Sequence, residues 1–274
     1  MIDIHNHILP GLDDGARNWE QSLAMARIAV ADGIKEIVCT PHWAPGIYAN
    51  TRGPILDAVD EFREKLSENN IPLEAHPGAE LRLDPDLPRK LESGELLSIN
   101  DTGRFILLEV PDLLPPNLEN FFPMLSRGNI IPIICHPERN HQLKRDPSPL
   151  FRWVEAGCLA QITAGSITGE FGSEVRRFSL MLFEHGLAHV IGTDAHDTRR
   201  RAPVFSEALR ELEGILGKEA AENLVKEVPR RILHGEMTAA AAPIPIHAAP
   251  IPVSTSGSLS RRIFSFLGLA RAHG

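Results

Sequence analysis

One pattern recurs along this chain: a short apolar stretch with strand character runs into a histidine or a carboxylate, and a helical stretch follows. The opening Met1-Ile-Asp-Ile-His-Asn-His7 alternates apolar and polar residues and ends in two histidines one residue apart. Side chains two apart on a strand share a face, so His5 and His7 can point at one centre. The strings Glu36-Ile-Val-Cys-Thr-Pro-His42 and Ile130-Ile-Pro-Ile-Ile-Cys-His136 each end in histidine, and residues 72–80 end in Glu80. Residues 104–110 carry Glu109 near their end, residues 159–163 form a further strand, and residues 189–194 end in Asp194, with His196 one residue beyond Ala195.

Between these strands the spacing predicts helices. Asn18 with Gln21 three residues on is an N-terminal cap, Trp19, Leu23, Ala26 and Val30 follow at helical spacing, and Gly33 stops the run. A charged helix over 51–69 places Leu56, Val59, Phe62 and Leu66 on one face. Further helices are expected at about 86–93, 117–127, 148–156, 172–185, 204–214 and 218–226, with a proline-led turn over 229–234. Seven strands alternating with helices imply βαβ units and an all-parallel sheet. Near-continuous Ile, Leu and Val in the strands mean that both faces are covered. The expected fold is an α/β barrel of about seven parallel strands, closed or nearly so. Its polar residues fall at the strand C-terminal ends, where parallel barrels carry their active sites.

A chain of 274 residues, 43% apolar, can bury such a core as one domain. A net charge of -8 argues against nucleic acid or an anionic membrane as the main partner. Cys39, Cys135 and Cys158 are odd in number and lie in or beside apolar runs, so buried thiols are expected rather than a disulfide framework. No signal-peptide pattern opens the sequence and no apolar run reaches the ~18–20 residues of a membrane span, so the expectation is a cytoplasmic protein without a membrane span.

Nine ligand-type groups converge at the strand ends: His5, His7, Asp14, His42, Glu80, Glu109, His136, Asp194 and His196. Any one of them could cap a helix, but nine at one barrel end make a metal centre the better reading. One ion needs about four to six protein groups, so nine suffice for two or three ions if a carboxylate such as Glu80 or Asp194 bridges. Imidazole and carboxylate without thiolate suit Mn²⁺, Zn²⁺ or Fe²⁺. Clustered ions activate water and clamp phosphoryl oxygens, which makes phosphate-ester hydrolysis the natural reaction. Arg139 in Cys-His-Pro-Glu-Arg and one arginine of the run 199–201 would pair with the phosphate. Thiolate phosphatase chemistry is excluded, because Pro45, His141 and Ala164 stand six positions after the three cysteines, where arginine is needed.

The motifs Asp-Ile-His-Asn-His at 3–7, Thr-Pro-His at 40–42, Gly-Ala-Glu at 78–80, Cys-His-Pro-Glu-Arg at 135–139 and Thr-Asp-Ala-His at 193–196 resemble the PHP (polymerase and histidinol phosphatase) superfamily. The opening His-Asn-His-Ile-Leu-Pro-Gly-Leu-Asp-Asp-Gly is similar to its branch of bacterial protein-tyrosine phosphatases linked to capsule and exopolysaccharide synthesis. The resemblance covers about 1–236 and implies a distorted TIM-like (β/α)7 barrel with up to three ions, most often Mn²⁺. One ion would take His5, His7, Glu80 and Asp194. A second would share Glu80 and add Glu109 and His136, and a third would use Asp14, His42 and His196. Asp13 competes with Asp14 for that last role, and Arg139 and Arg201 would hold the phosphate. The implied substrate is a phosphotyrosine protein, a bacterial tyrosine autokinase that regulates polymer export. A small-molecule phosphatase such as histidinol-phosphate phosphatase is the alternative. Residues 237–274 lie outside the resemblance: a Pro/Ala-rich, extended and disordered segment is expected there, ending in the basic-apolar patch Arg261-Arg-Ile-Phe-Ser-Phe-Leu-Gly-Leu269.

Overall fold

The computed structural model of the chain describes residues 1–115, 118, 121–236 and 242–246. Strand β1 (Ile2–Asn6) is buried along its whole length, and helix α1 (Trp19–Asp32) follows. The Asn18 side chain accepts the Gln21 N–H, and Gly33 ends the helix in the left-handed conformation, φ 94°. Strands β2 (Glu36–Cys39), β3 (His42–Ala44) and β4 (Tyr48–Ala49) precede helix α2 (Arg52–Glu68), which buries Ile55, Val59, Phe62 and Leu66. Strands β5 (Glu74–Pro77) and β6 (Glu80–Arg82), helix α3 (Leu87–Glu92), strand β7 (Phe105–Glu109) and helix α4 (Phe122–Arg127) come next. Then follow β8 (Ile131–Cys135), α5 (His141–Arg145), α6 (Ser148–Glu155), β9 (Leu159–Thr163), α7 (Ala164–Thr168), α8 (Ser173–Glu184) and β10 (Val190–Gly192). Helices α9 (Ser206–Leu216), α10 (Lys218–Asn223) and α11 (Glu227–Leu233) finish the described fold.

The strands form parallel ladders, but the hydrogen bonds draw two sheets instead of one closed barrel. One has the order β1-β2-β5 and the other β10-β9-β8-β7-β6-β3-β4. The division has a local cause. The strand expected over 36–42 breaks at Thr40-Pro41, and that over 72–80 breaks at Gly78-Ala79. Proline lacks the N–H a ladder needs, and the Pro41 carbonyl instead accepts the Glu80 N–H at 3.2 Å. The first halves, β2 and β5, pair beside β1, while the second halves, β3 and β6, pair beside β7. At the other side β1 meets β10 through the single parallel bridge Asn6–Ala195, with Asp194 N donating to His5 O at 2.7 Å. The all-parallel expectation also needs correcting: β4 pairs antiparallel to β3 in a hairpin.

Three further readings shift. Ile55 takes the buried place on the α2 face expected for Leu56, which is only partly buried. Residues 229–234, expected as a turn, lie mostly in α11, whose Pro229 sits in the first turn, where the N–H has no intrahelical partner anyway. The helix expected over 117–127 is described as α4 alone, residues 116, 117, 119 and 120 lying outside the described residues. Of the segment 237–274, only 242–246 is described. It is neither helix nor strand, and Ile244 N donates to His185 O at 2.9 Å while Ile246 packs on the core. The basic-apolar patch at 261–269 lies outside the described residues. Cys39, Cys135 and Cys158 are free and buried, and no helix among the described residues is long and apolar enough to cross a membrane.

Candidate metal centre

The ends of β1 and β7 and the residues just after β8 and β10 meet the first residues of β3 and β6, so His42 and Glu80, expected to end strands, begin them once those strands break. Glu80, fully buried, is at the middle. Its Oε2 is 3.2 Å from His5 Nε2, 3.4 Å from His7 Nε2 and 2.9 Å from His42 Nδ1, and its Oε1 is 2.8 Å from His136 Nε2. Asp194 Oδ1 lies 3.5 Å from His5 Nε2 and 3.4 Å from His7 Nε2. Asp14 Oδ1 lies 3.5 Å from both His42 Nε2 and His196 Nε2. Four ligating atoms from His7, Asp14, His42 and His196 lie within 4.8 Å of one another, as do those of His5, His7 and Glu80, and those of His42, Glu80 and Glu109. All nine ligand-type residues expected from the sequence therefore gather in one place. Asp13 and Asp14 divide their roles: Asp14 faces the cluster, while Asp13 Oδ2 accepts from His7 Nδ1 at 2.6 Å and from His42 N at 2.9 Å.

The imidazoles are held in one orientation. His5 Nδ1 donates to Gln161 Oε1 at 2.7 Å, His7 Nδ1 to Asp13, and His196 Nδ1 to the Asp194 carbonyl at 2.9 Å. In each, Nε2 is left to face the centre with its lone pair, the arrangement of metal-ligating histidines. His5 Nε2 and His7 Nε2 lie 3.3 Å apart. Glu80 Oε2 is buried among three imidazole nitrogens with no well-aligned hydrogen bond of its own. Burial and then the Glu80 charge raise Glu109, and the Arg82 guanidinium, 3.5 Å away, only partly offsets them. Burial and then the Arg139 charge depress His136 to about 4, which keeps its ring neutral and able to ligate. Burial pushes His5 down, yet the Glu80 and Asp194 charges outweigh it and leave it raised. A cation would take the place of such protons. Buried carboxylates, aimed lone pairs and an orphaned oxygen fit divalent ions.

The backbone carries strain here as well. His136 and Asp194 adopt left-handed φ values of 33° and 52°, a conformation costing about 1–3 kcal/mol in non-glycine residues and concentrated at functional sites. At Gly15 a Cβ would stand 2.0 Å from the His7 carbonyl oxygen, so only glycine lets the 8–15 loop close over β1.

Arg139 and Arg201 both lie beside the cluster. Arg139 Nη2 and Arg201 Nη2 reach the same oxygen, Asp194 Oδ2, at 2.5 and 2.6 Å. Arg139 also lies over the Phe171 ring, 5.0 Å from its centroid. Of the run 199–201, Arg199 and Arg200 are exposed and Arg201 turns inward. The resulting cleft, about 440 Å³, is bounded by the cluster, by both arginines and by Arg82 and Asp112. Sequence reasoning gave no role to Asp3, Arg82 or Gln161. Asp3 is fully buried and accepts from His5 N, Thr193 N and Thr193 Oγ1, pinning β1 to the end of β10. Gln161 left a readable trace, a polar residue inside the apolar strand Leu-Ala-Gln-Ile-Thr.

Residues 1–234 match the family described as capsular polysaccharide synthesis, CpsB/CapC. The tyrosine-protein phosphatase YwqE of Bacillus subtilis is 43% identical over 220 residues, covering 80% of this chain and 86% of YwqE. The tyrosine-protein phosphatase CpsB of Streptococcus pneumoniae is 27% identical over 249 residues, covering 86% of this chain and 100% of CpsB. A crystal structure from work on B. subtilis YwqE and S. pneumoniae CpsB, described there as unique metal-dependent tyrosine phosphatases, superposes with a TM-score of 0.86. It is 40% identical and covers 90% of this chain and 100% of that one. This chain belongs to the CpsB/CapC family.

Proposed function

We propose that the chain is a metal-dependent protein-tyrosine phosphatase of the PHP type, acting on phosphotyrosine of a bacterial tyrosine autokinase that controls capsule or exopolysaccharide synthesis. The observation that carries this reading is the ring of imidazoles and carboxylates around Glu80 with two guanidinium groups beside it. His5, His7, Glu80 and Asp194 would hold one ion, Glu80, Glu109 and His136 a second, and Asp14, His42 and His196 a third, Mn²⁺ being the favoured metal and Zn²⁺ or Fe²⁺ the alternatives. Such ions, when bound, lower the pKa of water and neutralise phosphoryl charge. Arg139 and Arg201 then bind the phosphoryl oxygens and stabilise the charge that develops in the transition state. Asp194 divides its two oxygens between the histidine side and the arginine side, and so fixes the distance between them. The barrel reading enters here too: the two sheets are halves of one distorted seven-stranded barrel, with the Asn6–Ala195 bridge as its seam. Residues 1–236 make up the catalytic domain and 237–274 its tail. A cytoplasmic location agrees with an autokinase substrate. The test is turnover on a phosphotyrosine peptide against histidinol phosphate, each with Mn²⁺ supplied. The reading requires the peptide to be the better substrate; equal or faster release from histidinol phosphate moves the assignment to a small phosphate ester.

A further inference from the structure

The cleft is lined mostly by charged and imidazole side chains, with Val110 and Pro111 as small apolar patches, which suits a phosphoryl group but offers an attached aromatic ring no aromatic partner in its wall beyond the histidines. Among the described residues, the large apolar side chains left most exposed are Ile47, Leu113 and Met124, at 68, 77 and 50%. Two of these belong to segments that adjoin cleft-lining residues, the hairpin that starts at His42 and the loop that carries Asp112. Ile47 is in the β3–β4 turn, closed by Ile47 N donating to Ala44 O at 2.9 Å, and Asn50 Nδ2 ties this hairpin to His42 O and Leu12 O, both at 2.8 Å. Leu113 follows Asp112 in the loop after β7, and only β6 separates β7 from β3 in the sheet. Beside Ile47 stands Tyr48, the one tyrosine of the chain. Its ring lies 5.6 Å from that of His42, with 10° between the planes. His42 is part of the cleft wall, so Tyr48 sits just outside the place where phosphate would bind.

We propose that Tyr48, with Ile47 beside it and Leu113 on the loop after β7, is the surface on which the aromatic ring of the substrate packs, and that it selects aryl over alkyl phosphate monoesters. The inference rests on the phosphatase reading above and names the part of the substrate that this hairpin recognises. Rigid aromatic and aliphatic surface next to an anion site favours a ring over a short aliphatic stem through stacking and apolar burial.

The experiment compares kcat/KM for a phosphotyrosine peptide and for the same peptide carrying phosphoserine, using the Mn²⁺-loaded protein, Tyr48→Ala and Tyr48→Phe, with bound metal measured in each. The expected result is an aryl-to-alkyl ratio about three- to tenfold lower in Tyr48→Ala, through KM for the phosphotyrosine peptide, while Tyr48→Phe keeps the original ratio. An unchanged ratio overturns the proposal, as does loss of metal from Tyr48→Ala with both activities falling together, which would make the ring a brace for His42. Ile47→Ser and Leu113→Ser, at exposed positions, provide the same test should Tyr48→Ala not fold, each lowering the ratio about two- to threefold. If the unaltered protein releases phosphate from neither peptide, the phosphatase reading falls and this inference with it.

Discussion

Two side chains that hold no phosphate decide how the histidines present themselves. Gln161 takes the His5 Nδ1–H and Asp13 takes the His7 Nδ1–H, so both Nε2 atoms face Glu80 and Asp194. Outer partners of this kind typically contribute 10–100-fold to metal affinity. Gln161→Ala is therefore expected to weaken metal binding about 10–100-fold, with activity recovered at high Mn²⁺, as a titration of activity against free metal would show. Glu80→Gln should behave differently, since its carboxylate faces four imidazoles: activity falls by more than that amount and excess metal does not restore it. Recovery of Glu80→Gln by metal would remove Glu80 from the centre. The division between Asp13 and Asp14 was not legible in the sequence, because two adjacent carboxylates in a turn look alike until the loop path separates them. The histidines were legible because each follows or interrupts an apolar run, although the break at Thr40-Pro41 makes His42 the first residue of β3 instead of the last of β2.

At the scale of the elements, the breaks in two strands matter most. Thr40-Pro41 and Gly78-Ala79 let β2 and β5 lie beside β1 while β3 and β6 carry His42 and Glu80 across to β7 and β8. The alternation of strand and helix could be read from hydrophobic period and punctuation. The change of sheet partner could not, since it depends on which neighbour takes the Pro41 carbonyl after the break. Short helices such as α5 and α7 also escaped, being too brief for a periodic signal. The loop from β1 to α1 is held by close approach, and Gly15→Ala would drive a Cβ into the His7 carbonyl. That variant is expected to stay folded but to displace Asp14 from His42 and His196, lowering the bound metal by about one ion per chain. Elemental analysis of the purified variant checks this, and an unchanged metal count would contradict the assignment of Asp14.

For the whole molecule, stability depends on pH through a buried histidine outside the metal cluster. His189 is buried away from the metal centre, its Nδ1 accepts the Ala160 N–H at 3.0 Å, and burial depresses it to about 3 from the ordinary 6.5. Between those values the unfolded chain binds a proton that the native ring refuses. The contribution of His189 is thus complete above about pH 6.5 and is lost as pH falls toward 3, with a limiting slope of about 1.4 kcal/mol per pH unit. Denaturant unfolding at pH 8 and pH 5 should show a smaller pH dependence for His189→Gln than for the unaltered chain; identical slopes would contradict the burial argument. The central claim is that the strand-end cluster uses metal to hydrolyse phosphotyrosine. Its most direct test is phosphate release from a phosphotyrosine peptide by the purified protein, measured after chelation, after adding back Mn²⁺, and after thiol alkylation. The account predicts loss with the chelator, recovery with Mn²⁺ and no effect of alkylation, since burial raises all three thiols and keeps them from ionising. Release that survives chelation, or none from folded and metal-loaded protein, would contradict it.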